Sequence, residues 1–320
     1  MKIGMVTDTL GPLSFEGVLD AAAELGLDCV EFATGNWSTA PHIDIDKLLR
    51  SKPARDAFLG AVKARGLTIS ALTCNGNQLH PGRSGREHDK VVRKTIELAP
   101  LLGVDRVILM SGLPGAKGDK HPNWITVAWP PETTEILEWQ WNAVVIPYWR
   151  DLVAFAKKKG ARKLCLELHG GQVVYNVATL MRLREACGEA VGVNFDPSHL
   201  LWMGADPIAA IDALGGAIFH VHAKDTKIEA RNVALNSRLE TRPSVEARER
   251  SWNYVTLGYG NGEDFWRAFC LALRRVGYDG VLSIEHEDMA LSPMEGMRKS
   301  VELLRRVAIV EPASYELPKI

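Results

Sequence analysis

The run Lys163-Leu164-Cys165-Leu166-Glu167-Leu168-His169-Gly170 is a short apolar stretch that closes on ionisable side chains. Three later runs have the same form: Val193-Asn194-Phe195-Asp196-Pro197-Ser198-His199, Phe219-His220-Val221-His222-Ala223-Lys224-Asp225 and Leu282-Ser283-Ile284-Glu285-His286-Glu287-Asp288. Each reads as a strand with ionisable groups at its carboxyl end. These runs give strands at Lys163–His169, Gly192–Asp196, Ile218–His222 and Val281–Glu285, and four earlier ones lie at Lys2–Val6, Cys29–Phe32, Leu67–Leu72 and Arg106–Met110. Helix-like segments separate them: Phe15–Leu25, Ile45–Arg65, Asp89–Leu102, Trp149–Lys159, Ala178–Cys187, Pro207–Leu214, Glu263–Val276 and Pro293–Val307. The helical period is clearest in Phe265, Phe269 and Leu273, and in Val301, Leu304 and Val307.

Alternating strands and helices predict a parallel sheet. Eight of each in 320 residues predict a closed (β/α)8 barrel, with residues 1–320 as one domain. An open doubly wound sheet is the alternative, but no Gly-x-Gly-x-x-Gly follows the first strand. Hydrophobic residues make up 46% and charged residues 24%, as in a globular protein. With 38 basic and 39 acidic residues the net charge is -1, which argues against a nucleic-acid partner. No apolar run is long enough to cross a bilayer, so no membrane partner is expected. The five cysteines contain no Cys-x-x-Cys pair, so neither a disulfide framework nor a thiolate zinc site is expected. The amino terminus enters a strand without a signal-like apolar core, which predicts a cytoplasmic address.

Two connections exceed plain turns, from Ser111 to about Trp141 and from Asp225 to about Gly262. They are the long loops after strands four and seven, and in a barrel both lie on the face that carries the site. The first holds Trp124, Trp129, Trp139 and Trp141, with Trp149 just beyond. Flat rings beside polar groups suit sugars, and Trp124 is a candidate for substrate binding.

The lower layers of a barrel are filled by Val, Ile and Leu, so charge at four consecutive strand ends has no structural purpose. Carboxylates and imidazoles converging there would repel or stay poorly solvated unless a cation joined them. Glu167, Asp196, His222 and Glu285 make a set of three carboxylates and one imidazole. Such donors suit Mn2+, Mg2+ or Co2+, and one divalent ion is expected, Mn2+ first. It would polarise the carbonyl of a sugar and acidify the neighbouring C–H. A carboxylate on either side could take that proton and return it. His169 shares a strand face with Glu167, and so meets substrate or orients a ligand. Lys224 could bind a hydroxyl or steady developing negative charge. His121, in the aromatic loop, is a candidate mobile acid or base. Asn75, Gln78 and His80 follow the third strand and could bind hydroxyls. His220 reads as a hydrogen-bonded core histidine, and no glycine-rich phosphate cradle is present.

On these four rim motifs together, the chain resembles the xylose-isomerase-like TIM-barrel superfamily of sugar isomerases and epimerases. That group also contains inosose dehydratases and an apurinic-endonuclease branch. The resemblance runs from Lys2-Ile3-Gly4 to the last helix. It implies that Glu167, Asp196, His222 and Glu285 hold a divalent metal, and that Glu167 and Glu285 double as an acid/base pair. It also implies that His199, in Asp196-x-x-His199, contacts substrate near the metal. The endonuclease branch needs a basic surface, which a net charge of -1 does not supply. Ketose 3-epimerases carry an arginine shortly after the strand-seven histidine, where this chain has Lys224-Asp225-Thr226-Lys227. The long loops suit a larger substrate, and C-glycoside deglycosidases use such a chain with a smaller partner to cleave 3-keto glycosides by elimination. The expected activity is a sugar isomerase or epimerase working by proton abstraction beside a carbonyl, through an enediolate. The alternatives are a lyase on 3-keto sugars and a metal-binding barrel inactive without a partner subunit. The expected partners are a small-molecule sugar or keto-glycoside and, as a homo-oligomer, further copies of the chain.

Overall fold

The computed structural model describes residues 1–312 and Ser314. Its strands are β1 (Lys2–Val6), β2 (Cys29–Ala33), β3 (Thr68–Thr73), β4 (Arg106–Leu109), β5 (Lys163–Glu167), β6 (Val191–Phe195), β7 (Ile218–Ala223), β8 (Asp225–Ile228), β9 (Trp252–Val255) and β10 (Val281–Ile284). All but β8 and β9 form a closed barrel in the order β1-β10-β7-β6-β5-β4-β3-β2. First and last strands pair in parallel, Lys2 beside Val281 and Met5 beside Ile284. That closure confirms the (β/α)8 expectation and removes the open-sheet alternative.

Parallel strands covered by helices are buried on both faces. β2 and β6 are accordingly buried at every position. The helix Glu263–Arg275 shows how the outer layer is held. It buries Trp266, Phe269, Cys270 and Leu273 and begins and ends on charged residues. Phe269 meets Phe195 of β6 with ring centroids 5.9 Å apart. Truncating such a ring to alanine costs about 3–5 kcal/mol.

Two irregularities matter for the site. The β2–β3 register shifts between Val30 and Glu31, and the β6–β7 register shifts between Val193 and Asn194. Bulges of this kind re-aim side chains beside functional centres. Glu31 and Asn194 both reach the polar cluster at the barrel's carboxyl rim.

The strand ends differ from expectation by a residue or two. β5 ends at Glu167, β6 at Phe195 and β10 at Ile284, so Asp196 and Glu285 open the rim loops rather than close strands. Asp196 leaves the strand because it caps the helix Pro197–Met203, accepting from the Ser198 amide at 2.8 Å.

Both long loops carry structure. The first contains a helix at Pro131–Trp139, which runs through a wide turn, Gln140–Val145, into the helix Ile146–Lys159. Gln140 pins this loop by donating to the carbonyls of Pro114 at 3.0 Å and Asn123 at 2.8 Å. Trp149 donates to the Ser111 carbonyl at 3.0 Å. The second loop holds the antiparallel pair β8–β9, with Asp225 opposite Val255 and Ile228 opposite Trp252. β8 starts one residue after β7, with no turn signal between them, and the pattern concealed it.

Candidate metal centre

One ligand atom each from Glu167, Asp196, His222 and Glu285 lies within 4.8 Å of the others. Strands β5, β6, β7 and β10 deliver these side chains to one point. Three of the atoms facing that point, Asp196 Oδ2, His222 Nδ1 and Glu285 Oε2, are buried and make no hydrogen bond. His222 Nδ1 is 3.1 Å from Glu285 Oε2 and 3.5 Å from Glu167 Oε2. Asp196 Oδ2 faces His199 at 3.2 Å and Glu285 Oε2 faces Lys224 at 3.4 Å, and three carboxylates packed this tightly, with no hydrogen bond at those two buried oxygens, are costly. A divalent cation, which takes oxygen and imidazole donors together, meets all of them at once. The donor set therefore fits such an ion.

Around these four is a supporting shell. Glu167 is held in place on both oxygens: Oε1 lies 2.9 Å from His199 Nε2, and Oε2 accepts from Asn75 at 3.3 Å and Asn194 at 3.2 Å. His199 also lies 3.2 Å from Asp196, and its Nδ1 is 2.9 Å from the Tyr254 hydroxyl on β9. Beneath His222 sits Glu31, wholly buried. It receives His222 Nε2 at 3.0 Å, His220 Nε2 at 2.9 Å and the Ser283 hydroxyl at 2.9 Å, with the Thr73 hydroxyl as a fourth donor. A second possible cluster, Glu31 with His220 and His222, is thus already satisfied by hydrogen bonds.

The electrostatics follow this geometry. Burial alone would push the Glu31 carboxyl up, but His222 and His220 outweigh it and hold it well below the usual range. Glu167 is likewise held low against burial by His199 and His222. Burial disfavours charge on His199, yet Asp196 and Glu167 overcome it and push the imidazole up to about 9. Burial and the neighbouring His199 bring His169 down to about 4, so it is neutral near pH 7. Lys224 is held charged against burial by Glu285 and Glu287, at 3.4 and 3.0 Å.

A cavity of about 390 Å3 opens over this centre, and Glu167, Glu285, His169, Lys224 and Asn75 form part of its wall. These expected residues are brought together. Others lie elsewhere. His199 is buried behind the carboxylates, between Glu167 and Asp196. Gln78 is buried and donates to the Met110 carbonyl at 2.7 Å. Trp124 packs edge-on to Tyr175 at 5.5 Å and borders a separate cavity of about 80 Å3. His121 is exposed on the loop after β4. The tryptophan on the main cavity wall is instead Trp37, after β2, joined there by Asp8, after β1. Neither was singled out in the sequence, and nor was Glu31. A glutamate inside the apolar strand Cys29-Val30-Glu31-Phe32 was the signal available, because a buried charge needs partners.

Residues 19–307 match the family described as xylose isomerase-like TIM barrel. The chain belongs to that family. Uncharacterized protein YfiH of Bacillus subtilis (strain 168) is 50% identical over 309 residues, 96% of this chain and 99% of that one. Among solved structures, 3-keto-D-glucoside 4-epimerase YcjR from E. coli superposes with a TM-score of 0.66 at 18% identity, covering 96% of this chain and 99% of that one. The probable 3-DHS dehydratase AsbF from Bacillus anthracis gives 0.65 at 16% identity, over 95% and 99%. At these identities the likeness is one of fold. Among the described residues no helix is long and apolar enough to cross a membrane.

Proposed function

We propose that the protein is a divalent-metal-dependent enzyme that moves a proton at the carbon beside a carbonyl of a sugar, as an isomerase or epimerase. The observation that carries this reading is the set of three unbonded buried donors, Asp196 Oδ2, His222 Nδ1 and Glu285 Oε2, gathered with Glu167 at the floor of a polar cavity. Glu167, Asp196, His222 and Glu285 would hold the ion, with Mn2+ the first choice. When bound, it supplies polarisation of the substrate carbonyl.

The chain's own groups do the rest. Glu285 is the more exposed of the two candidate carboxylates, 21% against 2% for Glu167, and is the better placed to take a proton. Glu167, oriented by Asn75 and Asn194, would supply the replacement proton, drawn from His199 at 2.9 Å, while Glu285 gives up the proton it took to solvent. His169, held neutral, and Asn75 offer hydrogen bonds to substrate hydroxyls. Lys224, fixed between Glu285 and Glu287, steadies negative charge as it develops. If a substituent sits two carbons from the carbonyl, the same proton abstraction leads to its elimination. Apolar side chains exposed on both long loops, including Trp129 at 75% and Leu239 at 78%, support an assembly that covers these loops.

The test is solvent exchange. Protein loaded with Mn2+ is incubated in D2O with D-fructose and with 3-keto-glucose, and deuterium beside the carbonyl is read by NMR. Label is expected with wild type and absent with Glu285→Gln. The product separates epimer from eliminated fragment. Full exchange by Glu285→Gln would sink its assignment as base, and no exchange by wild type would sink the reading.

A further inference from the structure

We propose that Asp8, Ser38 and Trp37 form a subsite for an uncharged, hydroxyl-bearing end of the substrate, and that the site refuses sugar phosphates. The inference rests on the sugar reading above and narrows its substrate class. All three residues border the same cavity as Glu167 and Glu285.

The Ser38 hydroxyl donates to Asp8 Oδ2 and accepts from the Ala40 amide at 2.8 Å. Its only proton is therefore committed. Asp8 Oδ1 is buried and receives no hydrogen bond from the protein. A buried carboxylate oxygen without a donor is expensive, and a substrate hydroxyl would supply one. Burial raises the Asp8 carboxyl above its ordinary value, eased by Ser38, which is the response of an acceptor short of donors.

Trp37 is 55% exposed, yet its backbone is fixed. Its amide donates to the Asn75 carbonyl at 3.0 Å. The preceding Asn36 sits at φ 64° and donates to the Cys74 carbonyl at 2.9 Å. Asparagine adopts this left-handed conformation readily, and the two hydrogen bonds to the Cys74 and Asn75 carbonyls hold it there. The segment thus presents an open indole from a fixed backbone, a platform suited to the C–H face of a sugar ring.

Charge decides the class. The cavity wall carries the carboxylates of Asp8, Glu167, Glu285 and Glu287. Among the described residues on that wall, Lys224 is the one lysine and no arginine is present, and Lys224 is already paired with Glu285 and Glu287. Phosphate is normally met by an arginine fork or by helix N-terminal amides. With Glu167 and Glu285 on the ion and Glu287 on Lys224, a phosphate at this end would meet the Asp8 carboxylate, whereas a hydroxyl can donate to it. A volume of about 390 Å3 falls at the small end of ligand sites.

The test is isothermal titration of the full, Mn2+-loaded chain with two pairs of probes, D-fructose against D-fructose 6-phosphate and 3-keto-glucose against its 6-phosphate. At least one neutral sugar is expected to bind about tenfold or more tightly than its ester. Asp8→Asn is expected to weaken the neutral sugar about tenfold, narrow that ratio, and leave Mn2+ affinity unchanged. Trp37→Ala should weaken neutral sugars as well. Esters binding as tightly as their neutral partners, a ratio unmoved by Asp8→Asn, or no binding of either neutral sugar would each overturn the subsite. Deuterium exchange on the same samples keeps the two readings apart. Exchange with a flat ratio defeats only the subsite, and an Asp8-dependent ratio without exchange defeats only the proton-transfer chemistry.

Discussion

His222 Nε2 lies 3.0 Å from Glu31 Oε1, while Nδ1 of the same ring points at Glu285 Oε2, 3.1 Å away. A carboxylate held ionised can only accept, so Nε2 carries a proton; Glu31 and Glu285 hold the metal-free ring charged against burial, and a bound ion would replace the proton on Nδ1. One buried glutamate thus fixes both the tautomer and the plane of the imidazole that would bind the ion. Changing Glu31 to Gln puts an NH2 against an imidazole N–H, because His220 and His222 both donate there. Mn2+ affinity should fall about 10- to 100-fold in Glu31→Gln, as measured by metal titration. Unchanged affinity would remove Glu31 from any role in supporting the centre.

An ion that binds the folded chain alone adds stability in proportion to its concentration. At a free Mn2+ concentration about 100 times Kd the gain is about 2.7 kcal/mol, which should appear as a rise of several degrees in Tm. Treatment with a chelator should reverse it. Asp196→Asn and His222→Ala should each abolish the response, since each removes an orphaned donor. A Tm indifferent to Mn2+ in the wild type would show that the four donors do not form a metal site.

His199 gives the metal-free protein a pH signature. Its folded value is about 9, raised by Asp196 and Glu167 against burial, and its unfolded value is about 6.5. The proton is therefore held more tightly in the folded chain. The stabilisation is fully present below about pH 6.5 and is lost as pH rises through about 9, on the order of 3 kcal/mol in total. Urea unfolding between pH 6 and 10 should show this loss in wild type and a flatter profile in His199→Asn. Bound Mn2+ should shrink the slope, because the ion then supplies the positive charge. Parallel profiles for wild type and variant would contradict the assignment.

The rim residues were legible because four neighbouring barrel strands run into charge at or just past their carboxyl ends, where packing needs none, and Glu167, Asp196, His222 and Glu285 do meet. What the sequence concealed depends on contacts across the barrel. Glu31 lies in the second strand, and its partners His220, His222 and Ser283 come from the seventh and last. Asp8 and Trp37 share a cavity wall because β1 and β2 are neighbours. The tryptophans of the long loop drew attention by number, yet Trp141 and Trp149 are buried and hold the loop down. Composition identifies aromatic rings but not which way they face.

Asp225 tests whether the second long loop supports the site. Its Oδ2 accepts from the amides of Gly258 at 3.0 Å, Gly260 at 3.2 Å and Asn261 at 3.0 Å, and its Oδ1 accepts from the Asn261 side chain at 2.7 Å. The space beside Gly260 is tight: a Cβ there would lie 2.4 Å from the Thr226 carbonyl oxygen. One side chain therefore ties the end of the loop back to β8. Through β9 it also positions Tyr254 against His199 and Trp252 flat on Trp202, with centroids 4.8 Å apart. Asp225→Ala leaves several amides without a partner and should cost about 3 kcal/mol. Hydrogen exchange should quicken across residues 252–255 while the barrel strands stay protected. Because Tyr254 reaches Glu167 only through His199, Mn2+ affinity should fall less than in Glu31→Gln. Uniform destabilisation of loop and barrel together would mean that Asp225 supports the whole fold rather than this loop.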